Sequence, residues 1–470
     1  MRKLLSIISL SLSVGLAQAQ TLTLAECRAK AVEHNKSLTS AKVKLDKQKY
    51  EMASYKANFF PAMKLFATDF YSTLRGQFAI DGGHLPIYSL TPSGQYVPNV
   101  IVNPDGSYTM GQYADFPDQK LDWKLKNMVF GGLSVMQPIY TGGKVSTAYS
   151  MSKIGVELAN ENVRLTQSEV IVNTDEAYIL AIKAKELGDV ARSYKTLLVE
   201  LKKNVDAAFK HGMKTRNDVM KVQVKLNEAD LNIQKADNSY RLALMNLSHI
   251  IGVPLDSYVA SSDSRPLVEL ETLNTLSSES TVNTGDKSFA SRPEVSMLDK
   301  KTELARQNVK LAKSDNLPTV AAGGNVVYAN GGEMSGKRLI NDALASVGIM
   351  VTMPLDFFGT TSNKVRSAKA AYQIAQLEQQ DLNEKMMLEL SQASNNLSEA
   401  KSEVALCQNA LEQAAENMRL SKQQYEVGFE PLSDYLEAQA LWQQASSNLV
   451  QARSQLSLAV TKYKKAKGEL

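Results

Sequence analysis

The feature that most constrains the fold of this chain is an internal repeat with an offset of 216 residues. An aromatic residue precedes a glycine by three positions in both Phe209–Gly212 and Tyr425–Gly428. Six residues after each glycine comes an aspartate, Asp218 in the first copy and Asp434 in the second. Matching positions at one constant offset indicate two copies of a single structural unit.

A heptad seam follows each of these motifs. Apolar residues advance by alternating steps of three and four, and adding 216 to each position gives an apolar or aromatic residue in the second copy. Alanine takes alternate seam positions, which lets neighbouring helix backbones approach closely. The seam predicts closely packed helices in both copies. Its first copy consists of Val219, Val222, Leu226, Ala229, Ile233, Ala236, Tyr240, Ala243 and Leu247.

The spacing of proline and glycine predicts two very long helices. Val145–Ala208 contains no proline and two glycines, and Asn363–Val427 contains neither residue. Each segment could form a helix of about 65 residues, roughly 100 Å long. Shorter helices are predicted at Leu24–Ala57, Asp218–Ile251, Ser291–Asn316 and Leu432–Lys467.

Two pairs of strands are predicted between the helices. Aliphatic residues alternate with Gly, Ser and Thr in 129–136 and 343–352, which suits lipid on one face and a wet lumen on the other, although half-buried strands of soluble sheets look similar. Four strands cannot close a water-filled barrel, whereas three chains would supply about twelve. The first pair encloses a long predicted loop, 71–122, and the second a short one, Asn330–Asn341.

The N-terminal residues predict export. Arg2 and Lys3 precede an apolar run, Leu4–Leu16, and Ala17–Ala19 supplies the small residues of a cleavage site. We therefore expect a signal peptide over 1–19. A membrane anchor is the weaker alternative because the run is too short to span a bilayer. Later segments hold no comparable apolar run, so a membrane crossing would require strands in a closed barrel.

Several classes of site are disfavoured by the composition. The formal charge falls from +4 to +2 when Arg2 and Lys3 are removed, which gives no reason to expect nucleic acid as a partner. Cys27 and Cys407 do not form a disulfide framework. The histidines are scattered, without carboxylates or cysteines at ligand spacing. We therefore expect no metal, no cofactor and no enzyme activity. The histidines are His34, His84, His211 and His249.

Short motifs occur where the predicted elements meet. They are Leu22–Glu26 with Ala31, Asn35 and Leu38, then Phe59–Pro61, Pro138–Gly143, Ile251–Leu255, Arg292–Glu294, Asn316–Pro318 and Pro354–Gly359. In this order, and over nearly all of the chain after the signal peptide, they resemble the TolC family of outer-membrane efflux proteins. Each motif is weakly specific alone, but their ordered duplication is strongly specific.

The resemblance implies a mainly α fold with a β-barrel part. Duplicated helical hairpins would form a trimeric α-barrel tunnel, and four strands per chain would contribute to a 12-stranded outer-membrane β-barrel. The expected organisation is a first repeat over 20–252 with a tip turn at 209–218, a linker or equatorial region over 253–290, and a second repeat over 291–470 with a tip turn at 425–434.

The same resemblance implies a passive exit duct for tripartite efflux or type I secretion. Its location would be the outer membrane of a Gram-negative-type cell, extending into the periplasm. Its partners would be two further copies of the chain, a periplasmic adaptor (membrane fusion) protein, an inner-membrane efflux or secretion pump and outer-membrane lipid. No nucleic acid is expected.

The tip turns have a purely structural interpretation. Gly212 and Gly428 fit the left-handed position that ends a helix. Thr215 and Asp218 fit a capping box, and Pro431 suits a first helical turn. For each acidic residue taken alone, this interpretation stands level with a role in gating.

The gating interpretation comes from the resemblance. Asp434 and Glu437 match positions that line an acidic constriction, and Tyr425 and Asp218 match positions that hold neighbouring hairpins together in the closed state. Glu430 stands where a basic locking residue can occur in the family, and an Arg216–Glu430 pair is our hypothesis for a replacement link. The turn residues expected at the adaptor-docking tip are Phe209, Gly212, Thr215, Gly428 and Pro431.

An exported periplasmic coiled-coil protein with a structural or scaffold role is the alternative. It would explain the export signal, the heptads and the aromatic content of 7%. It would not explain strand pairs with an aliphatic face that occur once in each repeat. An exported enzyme is a more distant third, because the few His and Cys residues form no recognisable site.

Overall fold

A computed structural model describes residues 20–258, 268–278 and 289–470. The predicted signal peptide, 1–19, lies outside the described residues, as do 259–267 and 279–288 of the predicted linker. The chain divides into two compact units. A helical unit runs up to Met52 and includes Ser150–Val309 and Arg366–Leu470, and a strand unit comprises Ala53–Tyr149 and Lys310–Val365.

The helices of the described chain reproduce the 216-residue offset. The two longest, α3 and α7, have 67 residues each, and the helices that follow them, α4 and α8, have 36 each. The helices are α1 (Leu24–His34), α2 (Lys36–Ala57), α3 (Lys144–Lys210), α4 (Arg216–Ile251), α5 (Leu273–Ser278), α6 (Pro293–Ser314), α7 (Thr360–Glu426) and α8 (Leu432–Lys467).

The single helix predicted for Leu24–Ala57 is wrong at Asn35, where the structure has a break. Thr23 caps α1 in a capping box with Glu26, and Asn35 ends it in an extended conformation. The Asn35 Oδ1 then accepts the Ser37 N–H at 2.8 Å, which caps α2. Its Nδ2 donates to the Ile250 carbonyl at 2.8 Å. The chain bends here because one amide side chain serves both helix ends and a distant helix.

The core of the helical unit lies along the seams. Tyr178, Ile182 and Leu247 are fully buried in one cluster, and Leu198 and Val222 are fully buried in a second.

A buried carboxylate joins three helices of this unit. The Asp175 side chain is inaccessible to solvent, and it accepts hydrogen bonds from the Arg28 Nε and the Thr461 hydroxyl, both at 2.7 Å. Burying a carboxylate is costly unless it is paired and hydrogen-bonded, and Arg28 and Thr461 meet both conditions. No helix in the described ranges is long and apolar enough to cross a membrane.

The strands described in the chain are mostly short, with three long exceptions, β11, β13 and β14. They are β1 (Gln20–Leu22), β2 (Ala62–Phe70), β3 (Arg75–Ile80), β4 (Gly83–Pro86), β5 (Tyr88–Leu90), β6 (Tyr96–Pro98), β7 (Val100–Val102), β8 (Tyr108–Met110), β9 (Tyr113–Phe116), β10 (Gln119–Lys124), β11 (Met128–Tyr140), β12 (Val268–Leu270), β13 (Thr319–Met334) and β14 (Lys337–Thr352).

The main sheet of the strand unit is antiparallel. β11 pairs with β2 on one side and β13 on the other, and β14 pairs with β13. β10 joins the end of β13 and pairs with β3. Strands β3 to β10 occupy most of the segment 71–122, which the sequence predicts as one long loop.

The loop predicted at Asn330–Asn341 is wrong, because β13 and β14 continue to a two-residue turn. The turn residues Ser335 and Gly336 have φ values of 50° and 80°. Positive φ at both positions is the type I′ geometry, whose twist matches that of the flanking strands. Each strand therefore continues five residues further toward the turn than predicted, β13 through 330–334 and β14 through 337–341.

Candidate functional site

Both long helices end in the same backbone motif. In the first copy, Met213 N–H donates to the Ala208 carbonyl and Gly212 N–H to the Phe209 carbonyl, each at 2.9 Å. In the second, Phe429 N–H donates to Gln424 at 2.9 Å and Gly428 N–H to Tyr425 at 3.1 Å. Gly212 and Gly428 have φ values of 75° and 83°. This is the Schellman arrangement, in which a left-handed glycine satisfies the last free carbonyls of a helix.

The turn of the first copy closes locally. The Asp218 N–H donates to the Thr215 hydroxyl at 3.2 Å, and the Thr215 N–H donates to the Asp218 carboxylate at 3.0 Å. The two residues thus form the capping box that the sequence predicts. The pKa of the Asp218 carboxyl lies below its ordinary value because the backbone N–H and the hydroxyl of Thr215 stabilise the ionised form.

The turn of the second copy closes through a longer contact. Pro431 is the N-cap residue and not part of the first helical turn, since α8 begins at Leu432, and within the described chain it makes no side-chain cap. The Ser421 hydroxyl instead donates to the Glu430 Oε1 at 2.7 Å. The Glu430 Oε2 is buried without a hydrogen-bond partner among the described atoms. The turn is therefore tied back to α7.

Aromatic and basic side chains connect the two tips within the chain. The rings of Tyr425 and Tyr435 stack with centroids 5.3 Å apart and an interplanar angle of 19°. The Lys214 Nζ lies 4.7 Å from the centroid of the Tyr425 ring, which is cation–π distance. Burial, followed by the nearby Asp218 carboxylate, raises the pKa of Tyr425. Both tyrosines belong to or pack on the core cluster that contains Leu198 and Val222.

Among the remaining predicted gate residues, Asp434, Glu437 and Arg216 are exposed and Glu430 is half-buried. Asp434 is in the first turn of α8, where its carboxylate accepts the Ser433 hydroxyl at 2.8 Å. Glu437 is one turn further on, at an open groove of about 520 Å³ between α4 and α8. Arg216 is the first residue of α4. Glu430 makes its hydrogen bond to Ser421, so an Arg216–Glu430 pair between neighbouring chains stays a prediction.

Three residues at the tips, Lys214, Ser421 and Tyr435, were not assigned to the gate or the tip turns by the sequence reasoning. The repeat held a signal for each of them, because the 216-residue offset aligns Lys214 with Glu430, Val205 with Ser421 and Val219 with Tyr435. At each of these equivalent positions the residue type changes between the copies, and the side-chain contacts of the two tips differ there.

The strand registers place the predicted aliphatic residues on one face of the main sheet. Leu133 lies opposite Leu65 on one side and Val326 on the other. Leu65 is 85% exposed and Val347 90% exposed. An exposed aliphatic surface of this extent marks a face that meets an apolar environment. Its further members include Met63, Val135, Val320, Ile349 and Val351.

The opposite face carries a polar row at one level of the sheet. Lys64 pairs with Ser134, Ser134 with Asn325, and Asn325 with Ser346. The Ser346 hydroxyl also hydrogen-bonds to the Asn325 side chain. One face of the sheet is thus apolar and exposed, and the other presents hydrogen-bonding groups across four strands.

A family model described as outer membrane efflux protein matches residues 285–469. Among characterised proteins, the chain is 25% identical over 331 residues to the alkaline protease secretion protein AprF of Pseudomonas aeruginosa, which covers 68% of this chain and 66% of that protein. It is 22% identical to the outer membrane protein TolC of Vibrio cholerae, over 66% of this chain and 70% of that protein. The chain thus aligns with about two thirds of the length of each relative.

Solved structures show the same fold over most of the chain. The outer membrane protein VceC of Vibrio cholerae superposes with a TM-score of 0.71 at 16% identity, covering 95% of this chain and 96% of that one. The CmeC outer membrane channel of Campylobacter jejuni superposes with a TM-score of 0.69 at 17% identity, covering 95% of this chain and 85% of that one.

Proposed function

We propose that the chain is a member of the outer membrane efflux protein family and acts as a passive exit duct for efflux or type I secretion. The duct lies in the outer membrane and extends into the periplasm. The observation that carries this function is the sheet with one exposed aliphatic face and a polar row across the other face. Such a sheet is stable between hydrocarbon and water, where it satisfies its backbone through strand pairing alone.

The strand count supports a trimer. The long ladder of this chain comprises β2, β11, β13 and β14, with β2 and β14 at its edges. Four strands cannot enclose a water-filled lumen, whereas three copies joined edge to edge would form a 12-stranded barrel. Pairing β14 of one chain with β2 of the next would also satisfy the backbone groups at both edges, which hydrocarbon cannot do.

The helical hairpins would form the periplasmic tunnel of the trimer. The tips at Gly212 and Gly428 would then occur six times around the axis and form the docking end for a periplasmic adaptor. An inner-membrane pump would supply the energy. The relatives include a protein named for alkaline protease secretion and one named an outer membrane efflux protein, which supports both secretion and efflux as roles of the duct. The duct itself would need no cofactor and catalyse no reaction.

Asp434 and Glu437 would form the acidic constriction of this tunnel. Both carboxylates are exposed in the single chain, and a threefold axis would bring three copies of each together. A ring of carboxylates concentrates cations and excludes anions. Across the chain boundary, Arg216 would pair with Glu430 and hold the tips closed.

Single-channel recording tests the duct and its constriction. The purified protein should run as a trimer in mild detergent and form discrete conducting events in planar bilayers. The double variant Asp434→Asn with Glu437→Gln should lose most of its preference for cations, measured as the reversal potential in a salt gradient. The matched control is Glu412→Gln, which removes an exposed carboxylate of α7 about four helical turns before the tip. A monomeric protein without conductance would overturn the function.

The proposed lock has its own measurement. Arg216→Ala and Glu430→Ala should each raise the conductance of the closed state, because either change removes one partner of the pair. Unchanged closed-state conductance in both variants would contradict the Arg216–Glu430 link and leave the constriction untouched.

A further inference from the structure

The segment between β3 and β10 folds into a forked ribbon, residues 75–124. β3 with β10 and β4 with β9 form its stem. β5 with β6 forms a first arm, 88–98, and β7 with β8 a second arm, 100–110. The fork is at Asn99, whose N–H donates to the Ile87 carbonyl at 2.8 Å and whose carbonyl accepts the Gly111 N–H at 2.9 Å.

The two arms are a tandem duplication with an offset of 12 residues. Pro92, Gly94 and Tyr96 of the first arm correspond to Pro104, Gly106 and Tyr108 of the second. The two glycines have φ values of 78° and 82°. In each turn, the glycine N–H donates to the residue three positions earlier, Thr91 or Asn103, at 2.8 and 2.9 Å. The sequence builds one rigid hairpin twice, and a rigid hairpin loses little entropy on binding.

One face of the arms is apolar and exposed. Tyr88 pairs with Pro98 and Leu90 with Tyr96, so these four side chains share a face of the first arm. The register of the second arm gives the equivalent set Val100, Val102, Tyr108 and Met110. The two sets occupy equivalent positions of the 12-residue repeat. We call these eight residues the arm face; its Tyr96 and Tyr108 are each 73% exposed.

The near absence of charge on the arms indicates the chemistry of the partner that the arm face can bind. From Ile87 to Gln112 the sequence contains one charged residue, Asp105, although 22% of the chain is charged. A surface that binds anionic lipid or an anionic glycan carries Lys and Arg, and the arms have none. The stem does carry charge, with Arg75 and Lys124 on the face opposite Phe78.

An uncharged apolar face is suited to packing against identical copies of itself around a symmetry axis. A symmetry axis brings identical residues together, so a charged face repels itself, whereas an uncharged apolar face buries itself without penalty. The arm face has eight residues, fewer than the roughly 20–30 per side of an independent interface. It therefore fits a contact between chains that are already held together, where the effective concentration is on the order of millimolar.

We propose that the arm faces of three chains pack against one another around the threefold axis. The proposal rests on the trimer of the proposed function and adds a contact outside the main sheet. Tyr96 and Tyr108 then point toward the axis, and the charged face of the stem points away from it. The contact ties the three ribbons together at the end of the strand unit that carries the ribbon.

Cysteine crosslinking of the full trimer tests the contact. In a Cys407→Ser background, Tyr96→Cys and Tyr108→Cys are compared with Ile101→Cys, which lies on the opposite face of the same arm and is 59% exposed. Cys27 is fully buried and stays silent. With a short bismaleimide, the two arm-face cysteines should give at least about tenfold more crosslinked dimer than Ile101→Cys, because contact raises their effective concentration.

The outcome separates this contact from the function on which it rests. A protein that is trimeric in mild detergent and conducts, yet crosslinks equally at all three positions, overturns the arm contact alone. Protection of Tyr96→Cys from maleimide by added surface polysaccharide, without crosslinking, would assign the face to a glycan and also overturn it. Loss of the trimer itself would overturn both proposals. A second pair of variants places a charge on either face of the second arm. Val102→Lys, on the arm face, should lower the crosslinking of Tyr96→Cys in the trimer, whereas Ile101→Lys, on the opposite face, should leave it unchanged.

Discussion

The two hairpin tips share a backbone but are held in place by different side chains. Both end a 67-residue helix with a Schellman motif and begin a 36-residue helix four residues after the glycine. The first tip closes on itself, through Thr215 and Asp218. The second closes on other parts of the structure, through the Ser421–Glu430 hydrogen bond and the stack of Tyr435 on Tyr425.

The two copies therefore share the backbone conformation of the turn, whereas the side-chain contacts that stabilise the turn differ between them. A capping box acts over three residues and holds as long as the first turn of its helix is intact. The Ser421–Glu430 bond spans nine residues and is lost whenever the turn moves away from α7. We therefore expect the second tip to depend on its contacts with α7 and Tyr435, and the buried, unpartnered Glu430 oxygen to offset part of their stabilising effect.

The largest loss of unfolding free energy should come from Tyr435→Ala. The variant to compare it with is Val219→Ala, at the equivalent position of the first copy. Tyr435 is 5% exposed and stacks on Tyr425, so its removal should cost about 3–5 kcal/mol of unfolding free energy. Val219 is only partly buried and should cost roughly 1 kcal/mol. Chemical denaturation of the detergent-solubilised protein measures both, and Tyr435→Phe, which keeps the ring, is the control. Equal losses at the two positions would show that the tips are equivalent after all.

Ser421→Val should have the next largest effect. Val205 occupies this position in the first copy, so the change makes the two tips alike at one site. It leaves the buried Glu430 carboxylate without its partner, at an expected cost of about 1–3 kcal/mol. Ser421→Thr keeps the hydroxyl and should be nearly neutral. The double variant Ser421→Val with Glu430→Lys, which reproduces Val205 and Lys214, should recover most of the loss; no recovery would mean that the carboxylate is not the cause.

Most of the helical architecture was predictable, because the signals are local or periodic. The heptad seam and the capping residues placed α4 and α8 to within two residues of their bounds. The break at Asn35 was missed because the bond to Ile250 that fixes it joins residues far apart in the chain. The turn between β13 and β14 was misplaced because Gly331-Gly332 suggested a loop, whereas the strands run through both glycines.

The candidate site divides in the same way. Gly212, Gly428 and the Thr215–Asp218 box were readable, since each is defined within a few residues. The contact of Lys214 with Tyr425 was not, because it joins segments about two hundred residues apart. The arms of the forked ribbon were within reach, since their 12-residue repeat is visible in the sequence once sought. Their short strands gave too little alternation to predict alone.

Alanine at either tip glycine should have the same moderate effect. Gly212 and Gly428 both have positive φ, and a Cβ added to either would meet no described atom within 4 Å. The cost is therefore backbone strain alone, about 1–2 kcal/mol in each copy. Thermal unfolding of Gly212→Ala and Gly428→Ala measures it. The control without positive φ is Gly155→Ala near the start of α3, where the added Cβ would meet only the end of the Gln48 side chain. Unequal losses would place the difference between the tips in the turn itself.

Removal of the N-cap should affect one tip only. Thr215→Ala deletes the two hydrogen bonds made by the Thr215 hydroxyl, one of which belongs to the capping box, at an expected cost of about 1 kcal/mol. Pro431→Ala deletes no side-chain bond and should leave the unfolding free energy almost unchanged. Hydrogen exchange of the first turns of α4 and α8 reports each tip separately. Thr215→Ser, which retains a hydroxyl, should protect α4 nearly as well as the wild-type residue; a failure of that control would point to the methyl group instead.

The smallest difference between the tips should appear in acid. The pKa of Asp218 is lower in the folded protein than its unfolded value of about 3.9. Its stabilising effect is therefore complete above about pH 4 and is lost as the pH falls through the lower, folded value. Exchange protection of the first turn of α4, corrected for intrinsic rates, should decline over that window in the wild type. Asp218→Asn removes the titrating group, so its protection should be lower at neutral pH and flat in acid. A wild-type profile as flat as that of Asp218→Asn would mean that the ionised capping box does not hold the first tip, and the contrast with the second tip would then rest on Tyr435 and Ser421 alone.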